Sequence, residues 1–152
     1  MLKVYIAGFD VFKDNSKEIE NNYRNYLQKH NMEGLYPADN NLLTSKNIFD
    51  ANIELINKAD IVIANINDFR GQDVDSGTAF EIGYAFAKNK KVYAYLEDER
   101  SMIEKIGTKD KDGYNVENFN NPVNLMIAES VTKIIKGTFY DCVEFIRTDI
   151  NK

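Results

Sequence analysis

The run Asp60–Ile66, DIVIANI, constrains this chain most. A nearly continuous, β-branched apolar segment is what a strand covered on both faces requires, and such strands belong to parallel sheets. Parallel neighbours need crossover connections, and a helical segment between Asp75 and Lys88 leads from this run to a second one, KKVYAYL at about 90–96. Lys3–Ala7, KVYIA, reads as a first, central strand running straight into Gly8, and a weaker strand over 32–36 ends at Pro37. Helical spacing predicts helices over about 17–30, 46–58 and 138–149, with Ser16 and Ser45 as N-caps of the first two. EDERSMIEKIG reads as a short helix, TKDKDGYNVENFNN as a long irregular loop, and PVNLMIAES as a helix with Pro122 in its first turn and Asn121 as its cap. Strand and helix alternating in this way predict one α/β domain over 1–152. Its loops at the carboxyl ends of the strands form the rim where ligands bind.

Charge and composition narrow the function. The net charge is −5 and no Lys/Arg block stands out, which argues against nucleic acid or an anionic membrane as partner and for small molecules. No apolar stretch approaches the length of a membrane span, and MLKVYIAGF is too short for a signal peptide, so a cytoplasmic protein is expected. Cys142 is the only cysteine and His30 the only histidine. A core-packed thiol and a cation at a helix carboxyl end are the expected roles, and no metal or cofactor is expected. Neither GxGxxG nor GxxxxGK[ST] occurs.

One carboxylate is out of place. Between Asp75 and Lys88 the ionisable side chains are Glu81 and the phenol of Tyr84, set among Ala79, Phe80, Ile82, Ala85, Phe86 and Ala87. A helix apolar on nearly every face is normally buried, and a buried carboxylate needs a partner or a task. Gly77 and Gly83 lower helix propensity by roughly 1 kcal/mol each, which makes sense if they leave room for a ligand beside Glu81. Asp73 and Asp75 precede the helix, and Asn52 lies among Ile48, Phe49, Ile53 and Ile56 on one face of the preceding helix. Paired carboxylates at a cleft suit chemistry at a glycosidic centre. The structural alternative is a Glu81 neutralised by a buried Lys, Arg or Tyr, with Asp75 only capping the helix. Asn52 is equally consistent with a structural hydrogen bond and with a ligand contact.

Taken together, YIAGFDVF, IELINKADIVIANI, DSGTAFEIGYAFAKNKKVYAY and NFNNPVNLM, in that order, resemble the nucleoside 2-deoxyribosyltransferase family over essentially 1–130. The resemblance implies a flavodoxin-like (Rossmann-like) parallel sheet with helices on both faces. It also implies transfer of 2-deoxyribose between nucleobases, in nucleoside salvage, through a covalent deoxyribosyl–enzyme intermediate. Glu81 matches the family's nucleophile, Asp75 the carboxyl that handles the proton of the base, and Tyr5 a tyrosine that hydrogen-bonds near the nucleophile. Asn52 falls at a base-binding position that holds Asp or Asn. Gly8, Phe9, Asp73 and Gly77 are implied at the substrate. Met126 is likewise implied at the substrate, and Asn124 is expected to reach the sugar site of a neighbouring subunit, so a homo-oligomer built on dimers, up to a hexamer, follows.

A carboxylate nucleophile must be ionised, so Tyr5 or backbone amides are expected to offset its apolar surroundings, while Asp75 needs a raised pKa to give up a proton. Two rivals stand. A deoxynucleoside 5′-monophosphate N-glycosidase would use water, although GFDVFKDNSK offers only Lys13, Ser16 and Lys17 to a phosphate; a silent nucleotide-binding module would leave both carboxylates unemployed. Base preference is expected to lie in 9–15, 39–47 and 67–73.

Overall fold

The computed structural model describes residues 1–36 and 44–152. Five strands form one parallel sheet: β1 (Leu2–Ala7), β2 (Met32–Leu35), β3 (Ile61–Asn65), β4 (Lys91–Leu96) and β5 (Lys133–Lys136), in the order β2-β1-β3-β4-β5. This is the flavodoxin-like order. Among the described residues the α-helices are α1 (Ser16–Lys29), α2 (Ser45–Lys58), α3 (Ser76–Ala87), α4 (Met102–Ile106) and α5 (Leu125–Ser130) between the strands, and α6 (Phe139–Asp149) after β5.

Side-chain alternation along the strands builds a separate core on each face. Val4, Ile6, Ile61, Ile63, Tyr93 and Tyr95 point one way and pack with α1 and α6 through Leu27, Phe139, Cys142 and Ile146. Tyr5, Ala7, Val62, Ala64, Val92 and Ala94 point the other way and pack with α2, α3 and α5 through Ile56, Ile82 and Ala85. Cys142 is fully buried, as expected, and burial pushes its thiol pKa up. His30 caps the carboxyl end of α1, edge-on to Tyr26 and 3.5 Å from Glu144.

Several boundaries differ from the sequence reading. Helix α1 follows Asn15, and α2 is capped by Thr44, whose hydroxyl accepts from Asn47 N at 3.1 Å; Ser16 and Ser45 are the first helical residues. Helix α5 begins at Leu125. Asn124 caps it through Oδ1 accepting from Met126 N at 2.9 Å, while the Asn121 carbonyl instead accepts from Met102 N. The loop over 107–121 is held together by a tight turn, in which Asp110 Oδ1 accepts from Asp112 N and Tyr114 N, and by Glu117. Glu117 accepts from Leu125 N at 2.6 Å and Asn124 Nδ2 at 3.1 Å. Strand β5 was not anticipated. Helix α3 is less covered than its composition demands: Ile82 and Ala85 are buried, but Phe80 and Phe86 are 52% and 57% exposed.

Candidate active site

Strand β1 and helix α3 create the site. Tyr5, the fourth residue of β1, is completely buried on the α2–α3 side of the sheet, and its hydroxyl donates to Glu81 Oε2 from α3. The expected partner is therefore a tyrosine. Among the described residues no Lys or Arg forms an ion pair with Glu81.

That choice of partner sets the charge state. Burial raises the Glu81 pKa, the Tyr5 hydrogen bond lowers it, and the charge of Asp75 raises it again, for a value pushed up to about 7. The same burial, together with the carboxylate, drives the Tyr5 pKa far up, so Tyr5 remains a proton donor to Glu81 at all ordinary pH. Glu81 is thus ionisable near neutrality without an ion-pair partner to hold its electron pairs.

Asp75 sits at the N-cap of α3. Its Oδ2 accepts from Thr78 N at 3.0 Å and Thr78 Oγ1 at 2.8 Å. Capping takes up one oxygen, and Oδ1 has no hydrogen-bond partner among the described residues. The capping reading and the catalytic one are therefore compatible. Asp75 adjoins Gly77, where a Cβ would lie 3.4 Å from Oδ2.

Glu81, Gly77, Asn52, Phe49, Phe80 and Ile53 line one cavity of about 340 Å3 between α2 and α3. Of the α2 face identified by its spacing, Phe49, Asn52, Ile53 and Ile56 form the wall of this cavity, while Ile48 lies outside it and is exposed.

The remaining expected residues lie elsewhere. Asp73, Asn124 and Met126 line a larger apolar cavity, about 670 Å3, between α3 and α5. Gly83 opens onto that cavity and not onto Glu81; two residues on from Glu81, it projects from a different side of the helix. Gly8 packs against β3 with φ of 155°, and a Cβ there would lie only 2.8 Å from the Asn65 Cβ, so any side chain would be strained and would force its neighbour to shift. Phe9 stacks on Phe69 at 4.9 Å and lines a third cavity on the opposite side of the sheet. Of the base-preference segments, 39–43 lies outside the described residues. The 67–73 segment contributes Phe69 and Arg70, whose guanidinium lies 4.6 Å from the Phe69 ring and 5.3 Å from that of Phe12.

A carboxylate hydrogen-bonded to a buried tyrosine, a second carboxylate at the helix cap and an amide across one cavity is an arrangement suited to glycosyl chemistry. The family model described as Nucleoside 2-deoxyribosyltransferase matches residues 4–126. The chain belongs to the nucleoside 2-deoxyribosyltransferase family. It thereby stands among glycosyl-transferring enzymes. A solved 2-desoxiribosyltransferase from Leishmania mexicana is 36% identical, with TM-score 0.89, covering 97% of this chain and 98% of that one. A 2-deoxyribosyltransferase from Bacillus psychrosaccharolyticus shares the fold at TM-score 0.60 and 19% identity, covering 93% and 90% of the two chains. An uncharacterized protein of Schizosaccharomyces pombe is 28% identical over 121 residues, 73% of this chain; the match spans 57% of that relative's length.

Proposed function

We propose that this member of the family transfers 2-deoxyribose between nucleobases, with Glu81 as covalent nucleophile. The observation that carries the reading is the Tyr5–Glu81 hydrogen bond at the wall of the Asn52-lined cavity. An ionised Glu81 Oε attacks the anomeric carbon, the C–N glycosidic bond breaks, and its electron pair leaves on the base nitrogen. Asp75 delivers a proton to that base through its free oxygen. In the second half, the nitrogen of an incoming base attacks the same carbon, the C–O bond to Glu81 breaks, and the carboxylate is regenerated while the acceptor's proton returns to Asp75. Asn52 holds the base by hydrogen bonds, and Tyr5 stabilises the carboxylate whenever it is free.

A second copy of the chain completes the assembly in this reading. Phe80, Phe86 and Met126 are 52%, 57% and 72% exposed on α3 and α5, a large apolar area for a single chain. Asn124, exposed at the start of α5, is available to a neighbouring subunit's sugar. We take the substrates to be deoxynucleosides and free bases of a salvage reaction.

Incubating deoxyinosine or thymidine with adenine or cytosine tests the function: a new deoxynucleoside is expected, while free deoxyribose alone would indicate hydrolysis. Glu81→Ala is expected to keep the fold and lower exchange by about 10⁴-fold or more. Substantial residual exchange in that variant rejects the nucleophile.

A further inference from the structure

Asp75 can pass a proton only through an oxygen that is free, and a neighbouring side chain decides which oxygen that is. Thr78, in the first turn of α3, is completely buried, and both of its donors go to one atom. Its backbone N–H reaches Asp75 Oδ2 at 3.0 Å, and its hydroxyl reaches the same oxygen at 2.8 Å. The first bond is the helix cap, which any residue other than proline would supply at this position. The second is not needed for capping. Among the described residues the Thr78 hydroxyl has no other acceptor, and it has no accessible surface to offer to solvent, so its hydrogen points at Asp75.

The pair of donors has a chemical consequence. A carboxyl oxygen has two in-plane lone pairs, and on Oδ2 both are engaged, so a proton held by Asp75 sits on Oδ1. The torsion that turns an aspartate carboxyl is soft, and a single cap bond leaves its two oxygens free to exchange places. A second donor, on a buried β-branched side chain whose own torsion is stiff, holds the carboxyl in one orientation. That orientation matters because Asp75 stands at the edge of the nucleophile's cavity: Gly77 lines the cavity, and a Cβ on Gly77 would lie 3.4 Å from Asp75 Oδ2.

We propose that Thr78 is a positioning residue for base exchange, its hydroxyl pinning Asp75 Oδ2 so that Oδ1 alone carries the proton to the departing base. The proposal rests on the base-exchange reading and adds to it the residue that orients its acid. When deoxyinosine is the donor, the C–N glycosidic bond breaks, its electron pair goes to the base, and the proton on Oδ1 passes to a base nitrogen.

Two donors separate orientation of the acid from general damage. Deoxyinosine needs a proton on its leaving base, whereas 7-methyl-2′-deoxyguanosine carries a positive ring charge that departure neutralises, so it needs none. Base release is followed in single turnovers, with enzyme in excess and no acceptor. Thr78→Val, which keeps the shape and removes the hydroxyl, is expected to slow release from deoxyinosine about tenfold and to leave release from the methylated donor within about twofold of wild type. Activity on the methylated donor also shows that the variant is folded. Thr78→Ser, which keeps the hydroxyl, is expected to recover the rate with deoxyinosine. Equal losses on both donors, an unchanged rate with deoxyinosine, or a Thr78→Ser variant as slow as Thr78→Val overturns the role. Failure of the base-exchange reading has a different signature: the wild-type protein forms no new deoxynucleoside from either donor when adenine is added.

Discussion

The two faces of this sheet carry similar ingredients to different ends. On one, the carboxylate of Glu81 meets the phenol of Tyr5; on the other, the carboxylate of Asp10 lies in a cavity whose wall includes the phenol of Tyr95. Glu81 has a neutral donor as its partner, and its pKa rises to about 7. Asp10 has an ammonium and an amide, Lys13 and Asn65, which engage both of its oxygens. An ion-paired, fully engaged carboxylate serves packing. One held only by a neutral hydroxyl keeps electron pairs free for attack, which suits a nucleophile.

Among changes that leave Glu81 itself in place, breaking the neutral partnership should have the largest effect. Tyr5→Phe removes the interaction that lowers the Glu81 pKa, so the acidic limb of the pH–rate profile should move upward from near 7, with kcat falling about 10²-fold at neutral pH. An unmoved limb would show that Tyr5 does not set the charge of Glu81.

Stability should report the same carboxylate with a worked sign. A carboxyl whose folded pKa lies above its unfolded value contributes stability below the unfolded value, and that contribution is lost as pH rises through about 7. Glu81→Gln should therefore stabilise the protein at pH 8 by on the order of 1–3 kcal/mol, allowing for solvent screening, and change little at pH 4. Thermal denaturation at both pH values checks this. Equal shifts at the two would refute the pKa assignment.

A smaller effect concerns the wall between the faces. Gly8→Ala forces a Cβ against Asn65 at an unfavourable φ, and should cost about 1–3 kcal/mol in chemical denaturation. No loss there would mean that the β1 loop relaxes freely.

Much of the architecture was legible because its strands are intense signals. DIVIANI and KVYIA are central, covered on both faces, and their apolar composition follows from that position. Strand β5 escaped because KIIK is four residues long, lies at an edge and is exposed at both ends, so neither length nor alternation marks it. Helix α5 starts late because Asn124 caps it and Glu117 braces it from seven residues upstream, a tertiary contact invisible to local spacing. Glu81 was conspicuous from its apolar setting. Its role came from the resemblance, since spacing alone left pairing and catalysis open, and the observed Tyr5 bond and cap at Asp75 fit both.

Gly83 misled because low helix propensity does not say which side of the helix it opens. The third cavity had one faint trace, the polar Asn65 inside an apolar run. Its convergence with Tyr95 depends on the register of β3 and β4, and that with Asp10 on the turn that follows β1. Phe80 and Phe86 show the reverse case: composition marked α3 as buried, and the single chain leaves both exposed.

The central claim is that Glu81 becomes covalently glycosylated. Intact and peptide mass spectrometry after incubation with a slow 2-fluoro-2-deoxynucleoside tests it most directly. The account predicts a single fluorodeoxyribosyl adduct on the α3 peptide, located at Glu81, and its disappearance when an acceptor base is added. Base exchange proceeding with the α3 peptide unmodified, or an adduct on any other residue, would contradict it.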